Sequence, residues 1–267
     1  LRLVDFDFRA IHKTFDAFGV SLDKLDGVAV AVFDHGEAPP ELSDRQFRFD
    51  YLARRIRAEN RLSAFAYRAE HVPFKMTRLQ AVVASAADVD APLLVMDSAP
   101  AAVLGATFDP PVAAVQSKLI ANVGNFHTLA FRLGHAGIEG VFEHHTGLVD
   151  LSKLERLLRK LAEGSLQHQE VFDDHGHGAL LFNQAPLELG QGGYDVAVTG
   201  PRRGLFQMPP AQGGLRPYLA VPFGDMMIAG CIGLLAATAD RMPEMAEPIL
   251  ASLQRTTPGN PPWEIQD

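Results

Sequence analysis

The stretch VFDDHGHGALL at 171–181 crowds two aspartates and two histidines behind two apolar residues. In extended backbone alternate side chains share a face, so Asp173, His175 and His177 would project together. His144 or His145, from the segment EHH, would join them in a nitrogen–oxygen ligand set suited to a transition metal such as Zn2+, Mn2+ or Fe2+. A shorter version of the phrase, VFDHGEAPP, stands at 32–40 and adds Asp34 and His35. With His127, Glu143 and Asp174 these groups all fall at expected strand ends or turns. A convergent polar cleft is one reading, with Asp34, Asp174 and His175 available for acid–base work. The other is a hydrogen-bonded structural network where two halves of the chain meet. The lone His12, His71, His135 and His168 read as surface or helix-face residues.

A second group suits phosphate. ANVGNFHTLAF at 121–131 reads as strand, tight turn, strand. A glycine-containing turn aims backbone N–H groups at an anion and admits close approach. Asn122, Gly124, Asn125, Phe126, His127 and Thr128 would line it. Asp97 closes an apolar run at the carboxyl edge of a strand, where ligands gather in open α/β sheets. It would position Mg2+ or a water, or else cap the helix that begins at Ser98. Gly200, Arg202 and Arg203 follow the apolar run 195–199. The two arginines would stack on an adenine or hold a phosphate, or remain solvated loop residues.

Ordinary elements must position these groups. Phe6, Ile11, Phe15 and Phe18 fall roughly on one helical face, and Gly19 stops it. GVAVAVFD and APLLVMD are short continuous apolar runs, as in strands buried on both faces of a parallel sheet. Residues 49–65 read as a helix whose Arg54, Arg55, Arg57 and Arg61 form a solvated face. LSKLERLLRKLAEG at 151–164 is the clearest helix, with Leu151, Leu154, Leu158 and Leu161 on one face, Asp150 or Ser152 to cap it and Gly164 to end it. GIEGVFEHHTG and GYDVAVTG read as strands, QEVFDDHGHG as a strand and loop, GDMMIAGCIGLLAA and MPEMAEPILASLQ as helices, and TTPGNPPWEIQD as a Pro-rich tail.

Composition removes several function classes. Of 267 residues 47% are hydrophobic, enough for a sizeable core, and the net charge is −8. That charge argues against general nucleic-acid binding and against an anionic membrane surface. The longest apolar run, 226–237, is too short to span a bilayer. One cysteine, Cys231, fits a reducing, cytoplasmic setting and cannot build a disulfide framework or an iron–sulfur site within the chain.

The order of elements repeats. In each half a helix leads to a segment ending Phe-Asp-(Asp)-His-Gly, then a crossover and another strand. The second half is preceded by three strands that the first lacks, which places the missing strands upstream of Leu1; a chain opening on Leu rather than Met agrees with a fragment. This arrangement resembles the actin, sugar-kinase and heat-shock-chaperone ATPase superfamily. DSAPAAVLGA resembles its first connecting helix, ANVGNFHTLAF its second phosphate loop, YDVAVTGPRRG its adenosine motif and GDMMIAGCIGLLAA its second connecting helix. More closely, AVFDHGEAPP, SDRQFRF, VGNFHTLAF, EHHTG and FDDHGHG resemble an uncharacterised prokaryotic family whose members are often labelled pyruvate formate-lyase activating enzymes. Such activases are radical enzymes with a cysteine triad, which this chain does not supply.

The resemblance implies an α/β protein of two duplicated actin-like (ribonuclease-H-like) domains. They would be a partial first domain at 1–115, a second at 116–240 and a C-terminal helix and tail at 241–267. It implies a nucleotide-binding ATPase or a small-molecule phosphotransferase, using ATP and Mg2+ between the halves. Asn122 stands where the superfamily has a Mg2+-organising Asp, and Asn125 where it has a second Gly. A metal-dependent hydrolase or metal-binding protein, and a non-catalytic nucleotide-binding module, stand as alternatives.

Overall fold

The computed structural model describes residues 4–207 and 214–254, a mixed α/β arrangement of two sheets and their helices. The first sheet is built before residue 98. Helix α1 (Phe8–Ala17) starts at Asp7, whose carboxylate accepts from Ala10 N. Strand β1 (Val28–Val32) is followed by α2 (Asp44–Ala58), capped by the Ser43 hydroxyl. Then come β2 (Ala66–Arg68), α3 (Thr77–Ser85) and β3 (Leu93–Asp97). The strand order is β1-β3-β2, with β1 parallel and β2 antiparallel to the fully buried β3. Helices α4 (Ser98–Ala106) and α5 (Pro110–Ala113) lead away from it.

The second sheet opens with β4 (Lys118–Val123), β5 (His127–Gly134) and β6 (Gly137–His145), an antiparallel meander. Helices α6 (Leu151–Glu163) and α7 (His168–Asp173) follow, then β7 (Gly178–Leu181), β8 (Val196–Thr199) and β9 (Pro217–Leu219). The order is β7-β6-β5-β4-β8-β9, with β4, β8 and β9 mutually parallel. Helices α8 (Ala229–Arg241) and α9 (Ala246–Gln254) complete the described chain.

Alternation along β4 separates two cores. Leu119, Ala121 and Val123 join Leu154, Leu157, Leu158 and Leu161 of α6 on one face, while Ile120 joins the other core, which includes Val103 and Ala106 of α4. The α6 stripe is held at both ends. Asp150 accepts from Lys153 N, and Gly164 turns the chain at φ +72°, where an added Cβ would lie 2.3 Å from the Gln184 carbonyl oxygen. The first sheet buries Leu94 and Met96 against Leu234, Ala237 and Met242 of α8 and its flank. Helices α4 and α8 cross backbone to backbone at Gly105 and Gly233.

Two expectations need correction. Helix α2 begins at Asp44, not Phe49, because Ser43 caps it, and residues 62–65 form a short 3-10 turn after the break at Glu59–Arg61. VFDDHGHG is not a strand end equivalent to VFDHG. Its first residues close α7, with Gly176 N donating to Val171 O and His175 N to Phe172 O. Arg45 of α2 fixes that turn by donating to the carbonyls of Phe172 and Gly176, so β7 starts only at Gly178. The short edge strands β2 and β9 carry too few residues to show a period. The Pro-rich tail lies outside the described residues.

Candidate functional site

A cleft of about 760 Å³ opens where the carboxyl ends of β1, β3, β4 and β8 meet the first turns of α4 and α8. Its walls include Phe33, Asp34, His35, Ser98, Asn122, Gly124, Asn125, Phe126, His127, Thr199 and Gly200. An added Cβ on Gly200, at φ +98°, would lie 2.5 Å from Val123 O and 2.8 Å from the Asn122 side chain, so this turn exists only with glycine. Helix α8 begins at Ala229 after Ile228, with no side-chain cap; the Ala229 N–H donates to the Met226 carbonyl, and Gly230 stands beside it in the cleft wall.

Beside the cleft, and sharing His35 and His127 with it, lies a compact group of His35, His127, Glu143 and His177. One ligand atom from each falls within 4.8 Å of all the others. Four elements deliver them: the loop after β1, the first residue of β5, the interior of β6 and the residue before β7. The His145 ring lies 4.7 Å from that of His177 and 4.9 Å from that of His127. Phe33 stacks on His127 at 4.4 Å and holds the ring in place.

Four buried atoms of this group lack partners. His127 Nε2, Glu143 Oε1 and both ring nitrogens of His177 are buried without a hydrogen bond. Leaving such a group unpaired costs on the order of 1–3 kcal/mol. Burial, helped by the Arg48 charge, pushes His35 down to about 4. Burial and neighbouring imidazoles push His127 to about 3 and His177 to about 2. The rings are therefore neutral at pH 7. Burial lifts Glu143 to about 7 against the pull of Arg48.

Arg48 organises the carboxylates. It is fully buried on α2, with Nε donating to Glu143 Oε2 at 3.0 Å, Nη1 donating to the Asp34 carbonyl at 3.0 Å, and Nη1 also 2.6 Å from Asp97 Oδ2. One oxygen of Glu143 is thus fixed and the other is turned to the histidines, with Oε1 3.8 Å from His177 Nδ1. Arg48 was legible in principle: it sits in helical register with Leu52 and Ile56, on the buried side of α2.

The remaining expected site residues divide clearly. Asn122, Gly124, Asn125, His127 and Gly200 line the cleft. Thr128 does not; it is buried with its hydroxyl 2.9 Å from that of Thr146. Arg202 is exposed and Arg203 donates to the Ala220 carbonyl, both off the cleft. Asp34 lines the cleft, but its carboxylate accepts from Gly36 N and Leu79 N and so caps α3 from outside. Asp97 caps α4 through Ala99 N.

Of the five expected metal residues His144, His145, Asp173, His175 and His177, only His177 is in the group, with His145 alongside. Alternation along β6 sends His144 to the other face, where Nε2 lies 3.4 Å from Asp174 Oδ2. Asp174 also pairs with Lys153 at 2.8 Å. Asp173 accepts from Gln169 within α7, and His175 is exposed at φ +62°. The helical turn at 171–176 removes the extended geometry that would have gathered them.

The sequence profile of the family described as "Putative pyruvate format-lyase activating enzyme (DUF1786)" matches residues 1–205, and the chain belongs to that family. No curated protein and no solved structure matches it. The iron–sulfur cluster that the descriptive name implies does not fit this chain: Cys231 is its one cysteine and is exposed on α8. No described helix is long and apolar enough to cross a membrane.

Proposed function

We propose that the protein binds a phosphorylated small molecule of nucleotide type in the cleft between its two sheets, as an actin-like protein of two related α/β units divided near residue 115. The observation that carries this reading is the cleft's position. It lies at the carboxyl ends of parallel strands from both sheets, where α/β proteins hold ligands. The second sheet supports it, with three antiparallel strands followed by parallel β8 and β9 beyond β4. Phosphate would sit against the Gly124–Asn125 turn and the uncapped start of α8, where N–H groups and the helix dipole favour an anion. The Thr199 hydroxyl, buried in the cleft wall without a partner, is a further donor. Exposed Phe126 and Met227 flank the mouth and suit an apolar or aromatic moiety.

Turnover of ATP with Mg2+ has less support. Asp34 is the one carboxylate among the described lining residues, and both its oxygens are taken by backbone N–H groups. Asn122 is a weaker Mg2+ ligand than a carboxylate. A bound but slowly processed nucleotide is therefore the expected behaviour. Calorimetry with ATP and ADP, with and without Mg2+, tests it: saturable binding that Gly200→Val abolishes is expected. Absence of binding by the folded full chain would overturn it.

A further inference from the structure

We propose that His35, His127, Glu143 and His177 bind one divalent first-row transition ion, with Zn2+ as the reference occupant, in the wall of the cleft. This goes beyond nucleotide binding and stands on separate observations. The four ligand atoms lie within 4.8 Å of one another, only slightly wider than the spread of about 3.4–4.2 Å that ligands at roughly 2.1 Å from a common ion require. Glu143 and His177 are almost wholly buried, at 0% and 2% exposure, and their atoms turned toward the centre have no hydrogen-bond partner.

A self-sufficient polar network would pair its donors and acceptors. Here Glu143 Oε1, His127 Nε2 and both His177 nitrogens stay unpaired, while Glu143 Oε2 is fixed by Arg48, itself anchored by Asp97. That is the pattern of a ligating carboxylate oriented by outer partners. Three imidazoles and a carboxylate select the ion class. Nitrogen donors suit Zn2+, Fe2+ and Mn2+, whereas Ca2+ and Mg2+ want oxygen cages and Cu(I) wants sulfur. Because His35 and His127 also line the cleft, an ion held there is within reach of a cleft ligand. With four protein ligands the ion would be held as a closed structural site that fixes this wall of the cleft. His145 stands next to the group and could extend it.

The test uses the full chain stripped with EDTA and titrated with Co2+, a visible-absorbing substitute for Zn2+, and then with Zn2+ in competition. Stoichiometric Co2+ binding with the intense absorption of low coordination number, displaced by Zn2+, is expected. His127→Ala and His177→Ala should each weaken binding by about 100-fold or more, whereas the exposed His175→Ala should not. If His177→Ala fails to fold, His35→Ala, in a partly buried loop, carries the same readout. A wild-type protein that takes up no Co2+ or Zn2+, or variants at His35 and His127 that bind as tightly as wild type, would overturn the proposal. Metal uptake without ATP binding would sink the nucleotide reading alone, and ATP binding without metal uptake would sink this one alone.

Discussion

Replacing Gly233 with alanine puts helix propensity and tertiary packing in direct opposition. On propensity alone the change favours α8 by about 1 kcal/mol. The helix crossing opposes it. A Cβ on Gly233 would lie 1.8 Å from the Ala101 carbonyl oxygen, and one on Gly105 would lie 1.7 Å from that of Ala229. Real Cβ contacts do not fall below 3.0 Å, so α4 and α8 must part by about the 1.2 Å difference at this point. A gap of that order forfeits a quarter to a half of the dispersion energy of facing atoms. Leu94, Met96, Ala101, Leu234 and Ala237 all pack there. Overpacking typically costs about 1–3 kcal/mol, and a backbone carbonyl has no rotamer through which to escape, so the upper end applies. Net of propensity, about 2 kcal/mol is lost, lowering Tm by roughly 4–8 °C. Gly230→Ala is the control: it lies in the same helix and its Cβ would meet nothing within 4 Å, so stability should hold or rise slightly. Melting followed by circular dichroism, with urea titration as a second axis, reads both. A Gly233→Ala protein melting at or above wild type, or a Gly230→Ala protein falling equally far, would refute the argument.

Arg48→Met strands the buried carboxylates of Asp97 and Glu143, a loss on the order of 3–5 kcal/mol and a Tm fall on the order of 10 °C; a shift under about 2 °C would show that the pairs contribute little. Asp34→Asn puts an amide donor against one of two backbone N–H groups and should cost roughly 1–3 kcal/mol. Amide exchange at Gly36 and Leu79 should quicken, and unchanged protection would count against the capping role. Glu59 is penalised by burial, but hydrogen bonds from Arg241 and Arg61 outweigh that and hold its pKa below the usual carboxylate range. Its folded value lies below the unfolded one, so its contribution is present above pH about 4.3 and fades as pH falls through the folded value. The stability gap between wild type and Glu59→Gln, measured from pH 7 to 3, should narrow below pH about 4.3; a constant gap would contradict it.

The leucine stripe of α6, with Asp150 and Gly164 at its ends, was readable because 3.6-residue periodicity and capping chemistry are local. So was the β4–β5 hairpin, and so was Asp97 at a strand end, where one residue caps α4 through Ala99 N and also meets Arg48. The convergence of His35, His127, Glu143 and His177 was readable as a tendency, since all four stand at expected strand ends or beside turns. Arg48 carried a signal in its register with Leu52 and Ile56, yet nothing local announces two carboxylates arriving from β3 and β6.

Which histidines meet was decided only in three dimensions. His144 and His145 are neighbours in sequence, but the pleat of β6 sends them to opposite faces, and only its pairing with β5 and β7 tells which face holds the cluster. The segment 171–176 has the composition of a strand end. It closes a helix because Arg45, more than a hundred residues away in the chain, satisfies the carbonyls of Phe172 and Gly176. The sequence by itself determined those elements whose periodicity and caps are local, such as α6 and the β4–β5 hairpin, and the stock of polar groups, because those depend on neighbours a few residues apart. Tertiary structure decided the membership of the site, because that depends on pairing partners and buried charges that local sequence does not encode.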